Sequence, residues 1–321
     1  GRYTINAIHY VAEGDRLVPA GQTEFARDAV FGYRASNRRQ WVEEKTGGQV
    51  KAEAVASISI QDIRVGGPNG VTECLGGLAQ GSMCVVNAAS TRDLQVFTQG
   101  LLMAEARGQR FLYRTAASFV QVRAGIAPRP LLTRADFDLS EPAGGLIVVG
   151  SHVPRTTGQV NTLLAQPQVV SLECRVEELL DDSRREDEIG RLAQQVDQAL
   201  GDDRDVMVYT SRQLRSGEDA ESSLSIGKQV SEALVAITRA ISTRPRYLLA
   251  KGGITSSDVA TRGLDVKRAL VLGQILPGVP VWQMGEESRY PGLTYIVFPG
   301  NVGGPEALVD IVTALQRSRG E

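Results

Sequence analysis

Residues 247–258, with the sequence YLLAKGGITSSD, decide the fold of the second half of the chain. Their apolar run predicts a buried strand that ends at Lys251, and Gly252 with Gly253 predicts a tight turn, because glycine lacks the Cβ that restricts other residues. The turn is followed by three residues of the types that commonly cap a helix, Thr255, Ser256 and Ser257. A strand, a glycine turn and a helix in this order are typical of a parallel α/β sheet.

Two other stretches repeat this order. Residues 146–157, LIVVGSHVPRTT, place Ser151 in the turn and Thr156 or Thr157 at the helix start, and residues 296–305, IVFPGNVGGP, have more glycine than a simple connection needs. The carboxyl ends of parallel strands lie along one edge of a sheet, where ligands bind. The three turns together predict a groove for a phosphorylated ligand, held by backbone N–H groups. Each turn alone could also be an ordinary connection, although ligand contact is favoured for residues 296–305.

Short apolar runs alternate with longer amphipathic stretches through much of the chain, a pattern typical of α/β proteins. The runs predicted as strands are residues 82–86, 146–150, 206–209, 247–250, 269–272 and 293–298. The stretches predicted as helices are residues 94–106, 156–165, 184–200, 226–241 and 305–316. Because the apolar runs are continuous rather than alternating, we expect mainly parallel sheets that are covered on both faces.

A stretch rich in proline and glycine, without sustained periodicity, divides the chain. We predict two α/β domains, one at residues 1–125 and one at residues 145–321, joined by a linker at residues 126–144.

The composition limits the classes of function. Lys and Arg number 35 and Asp and Glu number 37, so the net charge of −2 argues against a nucleic-acid partner, which needs a surplus of positive side chains. No apolar run has the length of a membrane span, so we expect no membrane partner and a cytoplasmic location. Three scattered cysteines and two histidines provide no zinc-ligand spacing, and we predict no metal held by protein side chains. The motifs G-x-G-x-x-G and G-x-x-x-x-G-K-[ST] are absent.

Two segments of the first half place arginine near aromatic residues. One is residues 23–28, TEFARD, and the other is residues 110–123, RFLYRTAASFVQVR, in which Arg114 and Thr115 are predicted at a strand end. Surface salt bridges with aromatic anchors would explain both segments. A contact with an anion or with another domain would explain them as well.

Several of these strings resemble one family. KGGITSSDVATRGL, VLGQILPGVPVW and FPGNVGG are similar to the C-terminal nucleotide-binding domain of the four-carbon acid sugar kinases, and GSHVPRTTGQVNTLL is similar to the opening of that domain. GRYT and TEFARD resemble the later part of the family's N-terminal domain. The resemblance implies transfer of the γ-phosphoryl group of ATP, with Mg²⁺, to the terminal 4-hydroxyl of an acid of the D-threonate, D-erythronate or 3-oxo-tetronate type.

The resemblance also implies binding residues. The family's ATP contacts fall on the residues of the three turns, namely Ser151, Gly252, Gly253, Ile254, Thr255, Ser256 and Gly300. Lys251, Asp258 and Asn301 are neighbours that could support phosphate or Mg²⁺, although a structural role is favoured for Asp258. The expected partners are ATP and a sugar acid, with a homodimer as a further expectation.

The family's acidic I-A-D-D-x-T-G opening is not in this sequence. We therefore expect that the chain lacks the first part of the N-terminal domain, and we assign no catalytic base. Two alternatives stay open: a non-catalytic relative that binds a nucleotide or a partner, and a kinase of another small carbohydrate acid.

Overall fold

The computed structural model describes residues 1–28, 32–212 and 220–316. By its internal contacts the chain divides into two units, Gly1–Pro128 and Arg129–Glu321. Among the helices of the described residues, none is both long enough and apolar enough to cross a membrane.

The first unit combines an antiparallel sheet with a short parallel pair of strands. The antiparallel sheet contains β1 (Arg2–Ile5), β2 (Ile8–Glu13) and β3 (Arg16–Pro19), and the parallel pair contains β4 (Ala56–Ile58) and β5 (Cys84–Val86). The helices are α1 (Arg38–Lys45), α2 (Ile60–Arg64), α3 (Gly67–Gly76), α4 (Thr91–Ala106) and α5 (Ala117–Arg123).

Serine caps start the helices that follow β4 and β5. The Ser59 hydroxyl accepts a hydrogen bond from the Asp62 N–H at 3.0 Å at the start of α2, and the Ser90 hydroxyl accepts one from the Asp93 N–H at 3.1 Å at the start of α4. Phe97 and other apolar residues of α4 then pack against α3 in a separate core for this unit. The first unit thus has its own strand-to-helix connections.

The described strands of the second unit form one sheet in the order β10, β11, β12, β9, β6, β8, β7. They are β6 (Leu146–Val149), β7 (Val170–Cys174), β8 (Val206–Thr210), β9 (Tyr247–Lys251), β10 (Ala269–Leu276), β11 (Val279–Met284) and β12 (Thr294–Phe298). The strands from β12 to β7 are parallel, and β11 and β10 extend the sheet in antiparallel fashion beyond β12. The helices are α6 (Pro154–Leu164), α7 (Val176–Leu180), α8 (Arg185–Gly201), α9 (Ala220–Ala240), α10 (Gly253–Asp258) and α11 (Ala307–Leu315).

Helices cover both faces of this sheet. Successive side chains of a strand point to opposite faces, so Leu146 and Val148 of β6 pack in the cluster that includes α8 and α9. Ile147 and Val149 pack in the cluster that includes α6 and α11. This arrangement confirms the predicted α/β class with a mostly parallel central sheet.

Two expectations from the sequence were wrong in detail, and one sheet was missed. Residues 269–272 begin β10, an antiparallel edge strand on which Leu270 and Val271 are 62% and 60% exposed, rather than a covered parallel strand. The strands β1–β3 are antiparallel and were not predicted. Arg114 and Thr115 lie in an irregular connection between α4 and α5, not at a strand end.

Part of residues 126–144 packs against the second unit. The Leu132 N–H donates to the Gln274 carbonyl of β10 at 2.8 Å, and the Arg134 guanidinium donates to the Leu315 carbonyl at 3.1 Å. Phe137 and Leu139 contact the same apolar cluster as α11. These contacts fix the chain just before β6.

Candidate functional site

The turns after β6, β9 and β12 lie side by side, because these strands are neighbours in the sheet. The Ser151 N–H donates to the Lys251 carbonyl at 3.4 Å, and the Gly252 N–H donates to the Phe298 carbonyl at 2.8 Å. The structure thus brings together the three turns that the glycine pattern singled out.

The turns approach so closely that an added Cβ would crowd Ser151 at two positions. A Cβ on Gly300 would lie 2.8 Å from the Ser151 hydroxyl oxygen, and a Cβ on Gly252 would lie 3.1 Å from the Ser151 Cβ. Gly252 also has a backbone φ of +119°, which residues other than glycine rarely adopt. Ser151 is therefore enclosed by two glycine backbones.

Hydroxyl groups gather around the same point. The Thr156 hydroxyl lies 3.1 Å from the Ser151 hydroxyl and donates to the Gly300 carbonyl at 3.0 Å. Thr255 is buried next to Gly150. A Cβ added to Gly150 would lie 2.2 Å from the Thr255 hydroxyl oxygen. Small polar groups and exposed backbone suit the oxygens of a phosphate chain.

The first turns of α6 hold the loop after β12. The Arg155 guanidinium donates to the Gly303 carbonyl at 3.0 Å. The buried Gln159 amide donates to the carbonyls of Val302 at 3.0 Å and Gly304 at 2.8 Å. These bonds join residues far apart in sequence, so the position of the loop after β12 depends on helix α6.

Lys251 is fully buried beneath the loop. Its ammonium donates to the Pro299 carbonyl at 2.8 Å and lies 3.6 Å from the centroid of the Phe298 ring. Burial, together with a smaller effect of the Arg155 charge, lowers the pKa of Lys251 to about 7. This placement favours a positioning role for Lys251 over the direct phosphate contact that the sequence left open.

Lys251→Met is expected to change how stability depends on pH. The pKa is about 7 in the folded chain against an ordinary 10.5, so the unfolded chain binds more protons between these values. The contribution of Lys251 to the free energy of unfolding therefore rises with pH across this window, and it is least favourable below pH 7.

Methionine fills a similar volume without a charge. The free energy of unfolding of the variant minus that of the wild type should be most positive below pH 7 and fall towards pH 10. Urea unfolding of both proteins at pH 6, 8 and 9.5 measures this difference. A difference that stays constant with pH would contradict the lowered pKa.

The helix caps differ from those predicted. Helix α10 begins at Gly253 with Gly252 as its cap, so Thr255 and Ser256 lie inside its first turn, and the Ser256 hydroxyl donates back to the Ala250 carbonyl at 2.7 Å. Helix α6 begins at Pro154, whose fixed φ suits the first helical position, and Thr156 lies inside it. Neither Thr255 nor Thr156 therefore caps a helix, and both side chains face the neighbouring turns.

Two family models match the chain. A model described as a sugar-binding N-terminal domain matches residues 1–123, and one described as a nucleotide-binding C-terminal domain matches residues 146–308. The chain belongs to the four-carbon acid sugar kinase family. The second unit contains the nucleotide-binding domain of this family, the first contains the sugar-binding domain, and both suit small-molecule ligands.

Solved structures share the fold of this acid sugar kinase family member. A protein from Salmonella typhimurium LT2 aligns with a TM-score of 0.62 and 16% identity, over 97% of this chain and 70% of its own. Protein HI1011 of Haemophilus influenzae aligns with a TM-score of 0.56 and 19% identity, over 98% of this chain and 71% of its own. No curated protein matches the chain. At these identities the likeness shows the fold alone.

Some residues of the three turns are exposed. Ile254 is 72% exposed, Gly253 and Asn301 are exposed, and a Cβ on Gly253 would meet no atom within 4 Å. Of the predicted ATP contacts, Gly253 and Ile254 therefore lie on the open side of the turns, and Thr255 and Ser256 lie on the buried side.

Asp258 is held away from the turns. Its carboxylate accepts a hydrogen bond from the Ser231 hydroxyl of α9 at 2.5 Å and lies 3.9 Å from the Arg262 guanidinium. These contacts favour its structural role. Among the residues that the structure describes, no group of three or more His, Cys, Asp or Glu is arranged to hold a metal ion.

Arg212 lies beside the same turns, and no sequence pattern singled it out. It follows β8, the neighbour of β6, and its guanidinium donates to the Ser151 carbonyl at 2.8 Å and to the Thr210 carbonyl at 2.9 Å. Burial lowers the pKa of Arg212. No carboxylate in the described ranges forms a salt bridge with it. Its place directly after a strand of the sheet was the signal that could have identified it.

Proposed function

We propose that this chain is an ATP-dependent kinase that transfers the γ-phosphoryl group to the terminal 4-hydroxyl of a four-carbon sugar acid of the D-threonate, D-erythronate or 3-oxo-tetronate type. The convergence of Ser151, Gly252 and Gly300 within a nucleotide-binding domain carries this proposal. The sugar-binding domain in the same chain supports the choice of acceptor.

In this proposal the glycine turns bind the phosphate chain of ATP. Gly253 leaves the backbone open to the phosphates, and Gly300 lets its turn lie close to Ser151, whose hydroxyl can donate to phosphate oxygens. The buried Thr255 hydroxyl lies behind these groups. Ile254, exposed beside them, offers an apolar surface for the adenine ring. Asn301 lies at the outer edge of the same groove.

Charge stabilisation in phosphoryl transfer needs fixed positive groups near the phosphates. Arg212 fits this need, because bonds to two carbonyls hold its guanidinium beside the Ser151 turn. Mg²⁺ bound to ATP would neutralise further charge on the phosphates. We assign this Mg²⁺ to phosphate oxygens and water, since the described residues place no cluster of acidic ligands there.

A panel of acceptors tests the proposal. The protein is incubated with ATP and Mg²⁺ and, in turn, with D-threonate, D-erythronate and 3-oxo-tetronate, while ADP release and the phosphorus NMR spectrum of the product are recorded. We expect ADP and a 4-phosphate ester with at least one acid, and neither without an acceptor.

Two other results would contradict the proposal. Tight ATP binding without turnover on any acid would favour the non-catalytic alternative, and transfer only to longer acids would favour a kinase of another carbohydrate acid. A cytoplasmic location and a homodimer are further expectations of the proposal.

A further inference from the structure

Three arginines of the first unit lie against aromatic rings. The Cζ atoms of Arg38 and Arg114 are 5.4 Å and 4.8 Å from the centroid of the Trp41 ring. The Cζ of Arg2 is 5.4 Å from the centroid of the Phe25 ring. Such contacts hold a guanidinium in place without neutralising its charge. We call Arg2, Arg38, Arg114 and Trp41 the arginine cluster.

The backbone brings the cluster together. Residues Thr4 and His9 are paired across β1 and β2, so Arg2 and His9 share one face of this hairpin. The start of α1 is tied to the same hairpin, because the Arg38 N–H donates to the Ala7 carbonyl at 2.7 Å. Arg38, the first residue of α1, is half-buried at this junction.

The cluster concentrates positive charge. Burial lowers the pKa of Arg38, and Arg2 and Arg114 lower it further, although Tyr33 raises it. Burial also lowers the pKa of His9 to about 4, with added effects of Arg38 and Arg2, so His9 is neutral at pH 7.

No described carboxylate lies within salt-bridge distance of the cluster, in which Arg2 and Arg114 are exposed and Arg38 is half-buried. Elsewhere in the same unit, arginines have carboxylate partners: Arg64 lies 2.8 Å from Asp93, and Arg123 lies 2.6 Å from Glu105. Within residues 1–28, 32–212 and 220–316, none of the three cluster arginines forms a salt bridge or a side-chain hydrogen bond.

The indole of Trp41 adds an unsatisfied donor. Its Nε1 atom is buried and has no hydrogen-bond partner among the described residues. A buried donor without an acceptor costs free energy, so buried donors are nearly always bonded. A ligand oxygen that entered beside this indole, by opening the contacts that now bury Nε1, would meet this donor close to the guanidinium groups of Arg38 and Arg114.

We propose that the arginine cluster binds the carboxylate group of the acid substrate. The carboxylate oxygens would accept hydrogen bonds from Arg38, Arg114 and the Trp41 indole, and Arg2 would add positive charge. Binding the acid end leaves the terminal hydroxyl free, as phosphorylation at that hydroxyl requires. This inference rests on the proposed function for the identity of the acid. An inorganic phosphate would meet the same donors, so the test includes one.

Tryptophan fluorescence provides a direct measurement. The chain has two tryptophans, and Trp282 lies in the second unit on β11, so a Trp282→Phe background leaves Trp41 as the sole reporter. This protein is titrated, without nucleotide, with D-threonate, with the uncharged four-carbon polyol erythritol, and with inorganic phosphate. We expect a saturable change with D-threonate and at least tenfold weaker binding of the other two.

Charge-removing variants locate the site. Arg38→Gln and Arg114→Gln should each weaken D-threonate binding by about tenfold to a hundredfold, the usual effect of losing a hydrogen bond to a charged group. Arg16→Gln is the matched control, because Arg16 lies in the same unit with its side chain 85% exposed. It should change the affinity by less than about twofold. Urea midpoints of all three variants check that the unit still folds.

Several outcomes would overturn the inference. Unchanged D-threonate affinity in folded Arg38→Gln and Arg114→Gln proteins would show that the acid binds elsewhere. Equal affinity for erythritol would show that the carboxylate is not recognised, and tighter binding of phosphate would make this a phosphate site. The titration needs no ATP. A negative result would therefore say nothing about phosphoryl transfer, which the acceptor panel tests separately. If D-threonate binds at the cluster but no acid gives ADP release, the proposed kinase activity is overturned and the carboxylate site is not.

Discussion

Gly253→Val is expected to weaken ATP binding by at least about a hundredfold, or about 2.8 kcal/mol, with little change in the free energy of unfolding. Gly253 is the first residue of α10, it is exposed, and a Cβ there would meet no protein atom within 4 Å. The fold can therefore accept a side chain at this position. In the proposed site, valine would occupy the space through which the phosphates reach the backbone. Isothermal titration calorimetry with ATP measures the loss.

Two other glycines serve as controls. Gly190 of α8 is also exposed with nothing within 4 Å of an added Cβ, so Gly190→Val should leave ATP affinity unchanged. Gly252 has a φ of +119°, so Gly252→Ala should lower both stability and affinity. Wild-type ATP affinity in Gly253→Val would mean that the nucleotide does not bind at this turn.

Arg246→Met is expected to destabilise the second unit by about 3–5 kcal/mol. The side chains of Arg246 and Asp205 are each only 2% exposed, and the Arg246 Nη2 lies 3.1 Å from the Asp205 Oδ1. The same oxygen accepts the Gly145 N–H at 2.6 Å, just before β6. Burial already raises the pKa of Asp205. Without the arginine, the carboxylate would be left buried with no cation beside it.

Urea unfolding measures this effect, and a second pair gives the comparison. Arg239 and Asp265 form an ion pair whose side chains are 50% and 56% exposed, so Arg239→Met should cost less than about 1 kcal/mol. Asp205→Asn combined with Arg246→Met should recover part of the loss, because the buried charge is removed. A cost below about 1 kcal/mol for Arg246→Met alone would exclude a stabilising role for the buried pair.

The meeting of the three turns in the second unit could be anticipated because its signals are local. A continuous apolar run followed by glycine marks the end of a covered parallel strand, and this pattern located Ser151, Gly252 and Gly300. Their convergence follows from one geometric rule, that parallel strands end at the same edge. The sequence therefore contained both the turns and the reason that they meet.

Other features depend on contacts that no local pattern contains. The turn between β1 and β2 uses positive φ values of 51° at Asn6 and 62° at Ala7, so the usual glycine signal of a hairpin is missing. The sequence could not separate an apolar edge strand such as β10 from a covered one, because both are continuous apolar runs. Arg212 and the Trp41 ring contact residues distant in sequence, Ser151 and Arg114 respectively.

The central position of β6 has a consequence for biosynthesis. Its partners in the sheet are β8 and β9, and β9 ends about 100 residues after β6. At a translation rate of about 5–20 residues per second, the nascent chain would wait roughly 5–20 s before both hydrogen-bonding edges of β6 could be paired. During that interval the strand would be exposed outside the ribosome. Chaperones that shield apolar segments should therefore associate with this chain until β9 has been made.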